Sequence, residues 1–371
     1  MVAPFESLLA LALTALGAGA VMTAVLARLA PALELLDAPD GRKDHAHPVP
    51  VVGGLAIFAS AWGTIALHGV APEAAYLFAA LSLVIAVGLW DDAVCIAPWV
   101  KLAIQVLASL VMVAGAGVIL RTVGDLIGWR PIGLAALAVP MTVFATVGVI
   151  NSFNMIDGLD GLCGSLALVA FGWYAAAAAA GGQPALLPAA LAFCGATAGF
   201  LMFNLRTPWQ PRARAFLGDA GSLMLGFALA WLAIDLTQRG GGAFYPIAAL
   251  WVVLVPLADC VSVMARRLER GQNPFVADRR HIHHYLLRRG LAPHRVLAIL
   301  VAISTLCGAV GFFGWYLRAP ESVLFWPFFF GFFAYHRWIK GAWTRLEAHP
   351  QPGPEPDRAS SGEERPARAS A

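Results

Sequence analysis

Charge is scarce in this chain. Asp, Glu, Lys and Arg make up 13% of its 371 residues, about half the share found in soluble domains. With 59% hydrophobic residues and a mean hydropathy of +0.72, that deficit marks an integral membrane protein, and no nucleic-acid partner is expected. Cysteine is sparse too. Cys95, Cys163, Cys194, Cys260 and Cys307 show no CxxC spacing and fall in or beside apolar runs. They read as small core residues, which argues against disulfides and thiolate metal sites. Strict apolar–polar alternation is missing as well, and this disfavours a membrane β-barrel.

Long apolar runs are what the chain does have. A spanning helix needs about 20 mainly apolar residues, and its backbone must satisfy its own hydrogen bonds in lipid. The expected fold is therefore all-α, a polytopic membrane protein of about 11 spans. They fall at roughly 5–29, 51–70, 72–90, 100–120, 131–150, 161–180, 184–204, 221–237, 244–265, 295–317 and 321–340. The first run is too long for a signal-peptide core and lacks a cleavage motif, so it reads as a mature span. Residues 1–345 form the expected membrane domain. Residues 346–371 are rich in Pro, Ser, Arg and Glu and are expected to be a disordered tail. No internal repeat is evident.

Connections after even-numbered spans are short turns, and those after odd-numbered spans are longer and polar. Of the 25 Lys and Arg residues, only Arg121, Arg130, Arg239 and Arg318 fall on the face of the short turns. The positive-inside rule then places the polar connections and the C-terminus in the cytoplasm and the N-terminus outside.

Four polar clusters share that expected cytoplasmic face. Asp91-Asp92 ends the third span. Adjacent carboxylates are unfavourable at the negative end of a helix, and a divalent cation or a cationic partner such as Lys101 would offset the cost. An acidic pair that only marks the membrane boundary is the plainer alternative. Asn154, Asp157 and Asp160 recur at a spacing of three, which predicts one shared side of a helical turn. Hard oxygen ligands so spaced suit Mg²⁺ or the hydroxyls of a nucleotide sugar; N-capping of the sixth span would account for one of them. Asp219, in Phe216-Leu-Gly-Asp-Ala-Gly-Ser222, opens the eighth span. There it suits a metal–phosphate site at a helix N-terminus, or serves as a cap. His281, His283 and His284 lie among Arg279, Arg280, Arg288 and Arg289. Without nearby cysteines, that setting favours anion binding over zinc, a solvated basic loop against lipid headgroups being the alternative. Arg42 and Lys43, ahead of Pro50-Val-Val-Gly-Gly54, suit a lipid phosphate or simple interfacial anchoring. Asp259, inside the ninth span, suits an interhelical hydrogen bond or a part in the site.

In order, Pro50-Val-Val-Gly-Gly54, Asp91-Asp92, Asn151-Ser-Phe-Asn-Met-Ile-Asp-Gly-Leu-Asp-Gly161, Phe216–Ser222, Pro256-Leu-Ala-Asp259 and Asp278-Arg-Arg-His-Ile-His-His284 resemble the polyprenyl-phosphate N-acetylhexosamine-1-phosphate transferases of glycosyltransferase family 4. The ordered set covers about residues 35–295, and its histidine run resembles the branch that uses UDP-N-acetylglucosamine. A third acid found in some members is here Cys95. The resemblance implies attack of undecaprenyl phosphate on a UDP-N-acetylhexosamine, with UMP leaving, at the inner membrane of a bacterium. It implies Mg²⁺, or Mn²⁺ in its place, and leaves room for a homodimer.

On this reading Asp219 is the leading metal ligand and Asp92 the next. Asp91 is the candidate general base, with Asp157 and Asp160 in the catalytic loop. Asn154 and Asp157 orient the nucleotide diphosphate, and Asp160 supports their loop. Arg279, Arg280, His281, His283 and His284 hold the donor, and Lys101, Arg42 and Lys43 hold the lipid phosphate. UDP-N-acetylmuramoyl-pentapeptide is an alternative donor. A secondary transporter is the rival class, although transporters keep their sites near the midplane and are often built from repeats.

Overall fold

The computed structural model describes residues 5–37, 48–68, 74–239, 243–273 and 280–348. Its elements run α1 (Phe5–Leu29), β1 (Leu36–Asp37), β2 (Val49–Pro50), α2 (Gly53–Leu67), α3 (Ala74–Val94), α4 (Pro98–Ala116), α5 (Ala138–Ile156), α6 (Leu162–Ala180), α7 (Leu187–Asn204), α8 (Gly218–Gln238), α9 (Pro246–Val252), α10 (Leu254–Glu269), α11 (Ile282–Arg288), α12 (Pro293–Tyr316) and α13 (Glu321–Ala348). Prolines sit in the first turn of α4, α7, α9 and α12, where their missing N–H costs no helical bond. The left-handed Gly117 closes α4.

Each of the eleven expected spans coincides with helix, but not every one is a simple crossing. Among the described residues, eight helices are long and apolar enough to cross a membrane, or nine if α9 and α10 count as one. That pair corrects the expected ninth span, because it bends by 83°. Pro256 explains the break: it offers no N–H to the carbonyl of Val252, and its ring clashes there, so α9 stops at Val252. The second expected span is a helix of 15 residues, short of the usual length. The eleventh is α13, whose second half carries Arg337, Lys340, Arg345 and Glu347. The expected tail lies almost wholly outside the described residues, since α13 continues to Ala348.

α8 is the axis of the bundle, packed against α2, α3, α5, α6 and α9 with nearly every residue buried. In lipid, helices associate through close packing of small residues rather than apolar burial, and α8 follows that rule. Gly54 of α2 and Gly88 of α3 lie against the backbone of Ala220–Gly221, and Gly226 lies against Ile150 of α5. At one end of the bundle, Asp92 at the end of α3 bonds the start of α8, and Gly161 before α6 bonds Asn204 at the end of α7. At the other end, Gln238 closing α8 accepts from the backbone of Arg121 and Thr122 after α4. The parity expected from the sequence is therefore present in the fold.

Candidate active site

A backbone stitch sets the geometry. β1 and β2 pair antiparallel, Leu36 opposite Pro50. The chain after β2 then binds the strand-like segment before α8. Phe216 N donates to Pro50 O at 2.8 Å, and Gly53 N and Gly54 N donate to the carbonyls of Phe216 and Leu217 at 3.0 and 3.1 Å. This ladder delivers Gly218 and Asp219 to the end of the bundle. Gly218 has φ +75, and a Cβ there would lie 2.6 Å from an Asp92 oxygen, so only glycine fits.

The aspartate pair is divided between two tasks. Asp92 accepts from the N–H groups of Asp219 and Ala220 at 2.8 and 3.2 Å, so a carboxylate from α3 caps the positive end of α8. Asp91 accepts from Ile96 N at 2.8 Å and from the Lys101 ammonium at 2.7 Å. Lys101 also reaches Asp219 at 2.9 Å, and Asp219 accepts from Asn154 Nδ2 at 3.1 Å. The cost of adjacent acids at a helix end is thus met by α8 for one and by Lys101 for the other. The Asp219 oxygens accept from Lys101 and Asn154, so this side chain joins α4, α5 and α8 at one point.

The spacing of Asn154, Asp157 and Asp160 was misleading as a helical signal. α5 stops after Ile156, Asp157 leaves helical geometry with ψ 66, and α6 begins after the left-handed Gly161, with no side-chain cap. The three side chains therefore diverge. Asn154 bonds Asp219 and Ser222, while Asp160 pairs with Arg206 Nε at 2.6 Å. Burial, with Asp219, Asp92 and Asp160 nearby, pushes the pKa of Asp157 well above the usual carboxylate range. Two residues not singled out from the sequence hold this loop. Asn204 accepts from Gly161 N at 2.8 Å and donates to Ala215 O at 2.9 Å. Arg206 gives Asp160 one N–H of its five. A polar pair closing an apolar span was the signal available for both.

A cavity of about 720 Å³ opens here. Asp91, Asp92, Asp157, Asp160 and Asp219 line it, with Glu34 and Asp37 from the hairpin side, and Arg206 is the one cation among its described lining residues. Lys101 lies outside the lining. The Arg206–Asp160 pair is largely exposed on the arginine side, so it contributes little stability, about 1 kcal/mol at most. Arg206→Ala is expected to leave the melting temperature nearly unchanged while raising the KM for an anionic donor about tenfold. Steady-state kinetics at varied donor concentration checks this.

The histidines stand behind this cavity rather than in its wall, where Leu287 and Pro293 are the nearest contributions. A Cβ on Gly158 would lie 2.4 Å from His283 Nε2, so the buried His283 ring rests directly on the Asp157–Asp160 loop. Burial and the neighbouring His284 and His281 push the pKa of His283 down to about 3, which leaves it neutral at physiological pH. Its ring is fully buried and lies outside the cavity lining. Arg280 pairs with Glu347 of α13 at 3.1 Å and is absent from the cavity lining. Arg42, Lys43 and Arg279 lie outside the described residues.

A dianionic or trianionic substrate can enter so acidic a cavity only with countercharge. Among the described residues no three carboxylate, imidazole or thiolate groups form a ready-made metal cage. Mg²⁺ does not require one: one or two carboxylates, completed by substrate phosphates and water, is its usual setting. The oxygen donors of Asp219 and Asp157 fit that pattern.

An all-α bundle of membrane-length helices, gathering acids, an amide and a lysine at one end beside a cavity, is the architecture of a polytopic membrane protein with a candidate active site at that end. Residues 74–237 match the family described as Glycosyl transferase family 4. The undecaprenyl-phosphate alpha-N-acetylglucosaminyl 1-phosphate transferase of Yersinia pestis is 33% identical over 321 residues, covering 86% of this chain and 88% of that protein. The proteins of the same name from Escherichia coli (strain K12) and Haemophilus influenzae are each 32% identical, over 85% and 88% of this chain and 86% and 94% of their own lengths. The chain belongs to glycosyl transferase family 4.

Proposed function

We propose that this membrane sugar-1-phosphate transferase moves N-acetylglucosamine 1-phosphate from UDP-N-acetylglucosamine to undecaprenyl phosphate and so initiates a cell-envelope glycan. The observation that carries the reading is the Lys101 ammonium held between Asp91 and Asp219 beside a cavity whose charged lining is acidic but for Arg206. The names of the relatives agree with it. We place the site on the cytoplasmic face of a bacterial inner membrane, where the lipid phosphate and a soluble nucleotide sugar meet, and a homodimer is compatible with this placement.

An oxygen of the lipid phosphate attacks the β-phosphorus of the donor. The bond from that phosphorus to the bridging oxygen breaks, and the bridging oxygen leaves with UMP. Such transfers depend mainly on positioning and charge neutralisation. Mg²⁺, or Mn²⁺ in its place, would be held by Asp219 and Asp157 and would supply charge neutralisation at the diphosphate. Asp92 acts through α8, as its cap. Asn154 fixes Asp219, and through it the side that the diphosphate would meet. Arg206, oriented by Asp160, holds the anionic nucleotide, and the histidine helix supports their loop. Lys101, with Arg42 and Lys43, directs the lipid phosphate.

A phosphate monoester has its second pKa near 6, so the nucleophile needs little help from a base at neutral pH. Asp91 is already bound by Lys101 and Ile96 N and acts as a positioning group. Asp91→Asn is expected to lower kcat at about pH 8 as much as at about pH 5.5. Near-normal kcat at the higher pH alone would restore the general-base role.

A UMP-release assay with purified chain, undecaprenyl phosphate and Mg²⁺ tests the donor. UDP-N-acetylglucosamine should be turned over in preference to UDP-N-acetylgalactosamine and UDP-N-acetylmuramoyl-pentapeptide. Preference for either of the others refutes the donor assignment, and transport without UMP release would identify a carrier.

A further inference from the structure

Asp259 is a buried carboxylate on α10, outside the cavity lining, with three hydrogen bonds. It accepts from His281 Nδ1 at 2.7 Å, from Ile282 N at 3.0 Å and from the Tyr335 hydroxyl of α13 at 2.9 Å. A carboxylate only accepts, so the proton of His281 is held on Nδ1 and the ring is locked in one tautomer and one orientation. The His281 ring lies nearly parallel to that of His283, with centroids 5.6 Å apart and an interplanar angle of 12°. His283 is fully buried, and neither of its ring nitrogens has a hydrogen-bond partner among the described residues. Packing therefore fixes it, against His284 and His281, with ring centroids 4.0 and 5.6 Å away, and against Gly158.

α13 braces the same unit along its length. Ser262 Oγ is 3.0 Å from His336 Nδ1. Tyr285 of α11 packs edge-on against Trp338 and Trp343, and the Arg288 guanidinium lies 5.3 Å from the Trp343 ring centre. The last helix, which composition reads as one more span, thus grips the histidine helix.

We propose that Asp259 and Tyr335 are positioning residues for donor binding. They fix His281, and through the stacked His283 they fix the Asp157–Asp160 loop. The plain alternative is a staple between α10, α11 and α13 that matters only for stability. The inference rests on the proposed role of that loop in holding the UDP-sugar.

The test uses the full chain in detergent, with UMP release measured at varied UDP-N-acetylglucosamine and separately at varied undecaprenyl phosphate. Asp259→Asn is expected to raise the donor KM about 10- to 100-fold, with the lipid KM unchanged within about twofold. Tyr335→Phe removes one hydroxyl and is expected to raise the donor KM about three- to tenfold at an unaltered melting temperature, so the test survives if Asp259→Asn fails to fold. Gly158→Ala, which pushes on His283 from the other side, should show the same donor-selective change. The proposal is overturned if Tyr335→Phe and Gly158→Ala leave the donor KM unchanged, or if both KM values move together with a lowered melting temperature. Wild-type chain that neither binds nor turns over UDP-N-acetylglucosamine sinks the donor reading and this inference together. An active wild type with unaffected variants sinks the inference alone.

Discussion

Asp219→Asn is expected to lower UMP release by at least about a thousandfold while the chain stays folded. Asp219 is where three helices meet chemically: it receives Lys101 from α4 and Asn154 from α5, and it stands in the first turn of α8. The cap on α8 belongs to Asp92, so removing one charge from Asp219 leaves the helix start intact. What is lost is the anionic oxygen pair that a divalent cation needs and the partner that holds Lys101 in place. An amide keeps the size and one acceptor, so the melting temperature should fall by only a few degrees. Raising Mg²⁺ should recover part of the activity if the defect is metal affinity. Activity within about tenfold of wild type would exclude Asp219 as the leading ligand.

Gly88→Val is the substitution expected to do most damage to the fold. A Cβ at Gly88 would sit 2.3 Å from the Cα of Ala220 and 2.5 Å from its nitrogen, and neither atom belongs to a flexible side chain. α3 would have to move away from α8, and a clash with backbone costs at least the 1–3 kcal/mol typical of an overpacked core, as an order-of-magnitude figure. The displacement also carries Asp92 off the N–H groups it caps. Fluorescence-detected size exclusion and melting in detergent should show a destabilised or aggregated chain. Gly63→Val serves as the control, since a Cβ at Gly63 meets nothing within 4 Å. Equal stability of the two variants would refute the close α3–α8 packing.

Much of this arrangement was legible in the sequence because it followed from parity. Long apolar runs are unmistakable, and a chain that alternates direction must bring Asp91, Lys101, Asn154, Asp219 and the histidine run to one end. What the sequence could not show was which partner each side chain takes. Asp92 reads as a metal ligand beside Asp91, yet its oxygens face two backbone N–H groups of a helix more than a hundred residues later. A spacing of three suggested a helical face, but helical geometry ends after Ile156, and the side chains of Asn154 and Asp160 separate towards Asp219 and Arg206. Pro256 was visible in the ninth apolar run, but a run of that length reads as one span, not as two helices at 83°. Asp259 could be read only as a buried acid awaiting a partner, because His281 and Tyr335 lie 22 and 76 residues away. Local pattern predicts elements, and tertiary partners assign roles.

The most direct test of the account follows two phosphorus labels in UDP-N-acetylglucosamine, one at the β-phosphorus and one at the α-phosphorus. Incubated with the purified chain, undecaprenyl phosphate and Mg²⁺, the β label should pass into the lipid fraction and the α label should appear in UMP. Release of UDP carrying both labels would mean that the sugar–oxygen bond is the one broken, and would contradict the proposed transfer.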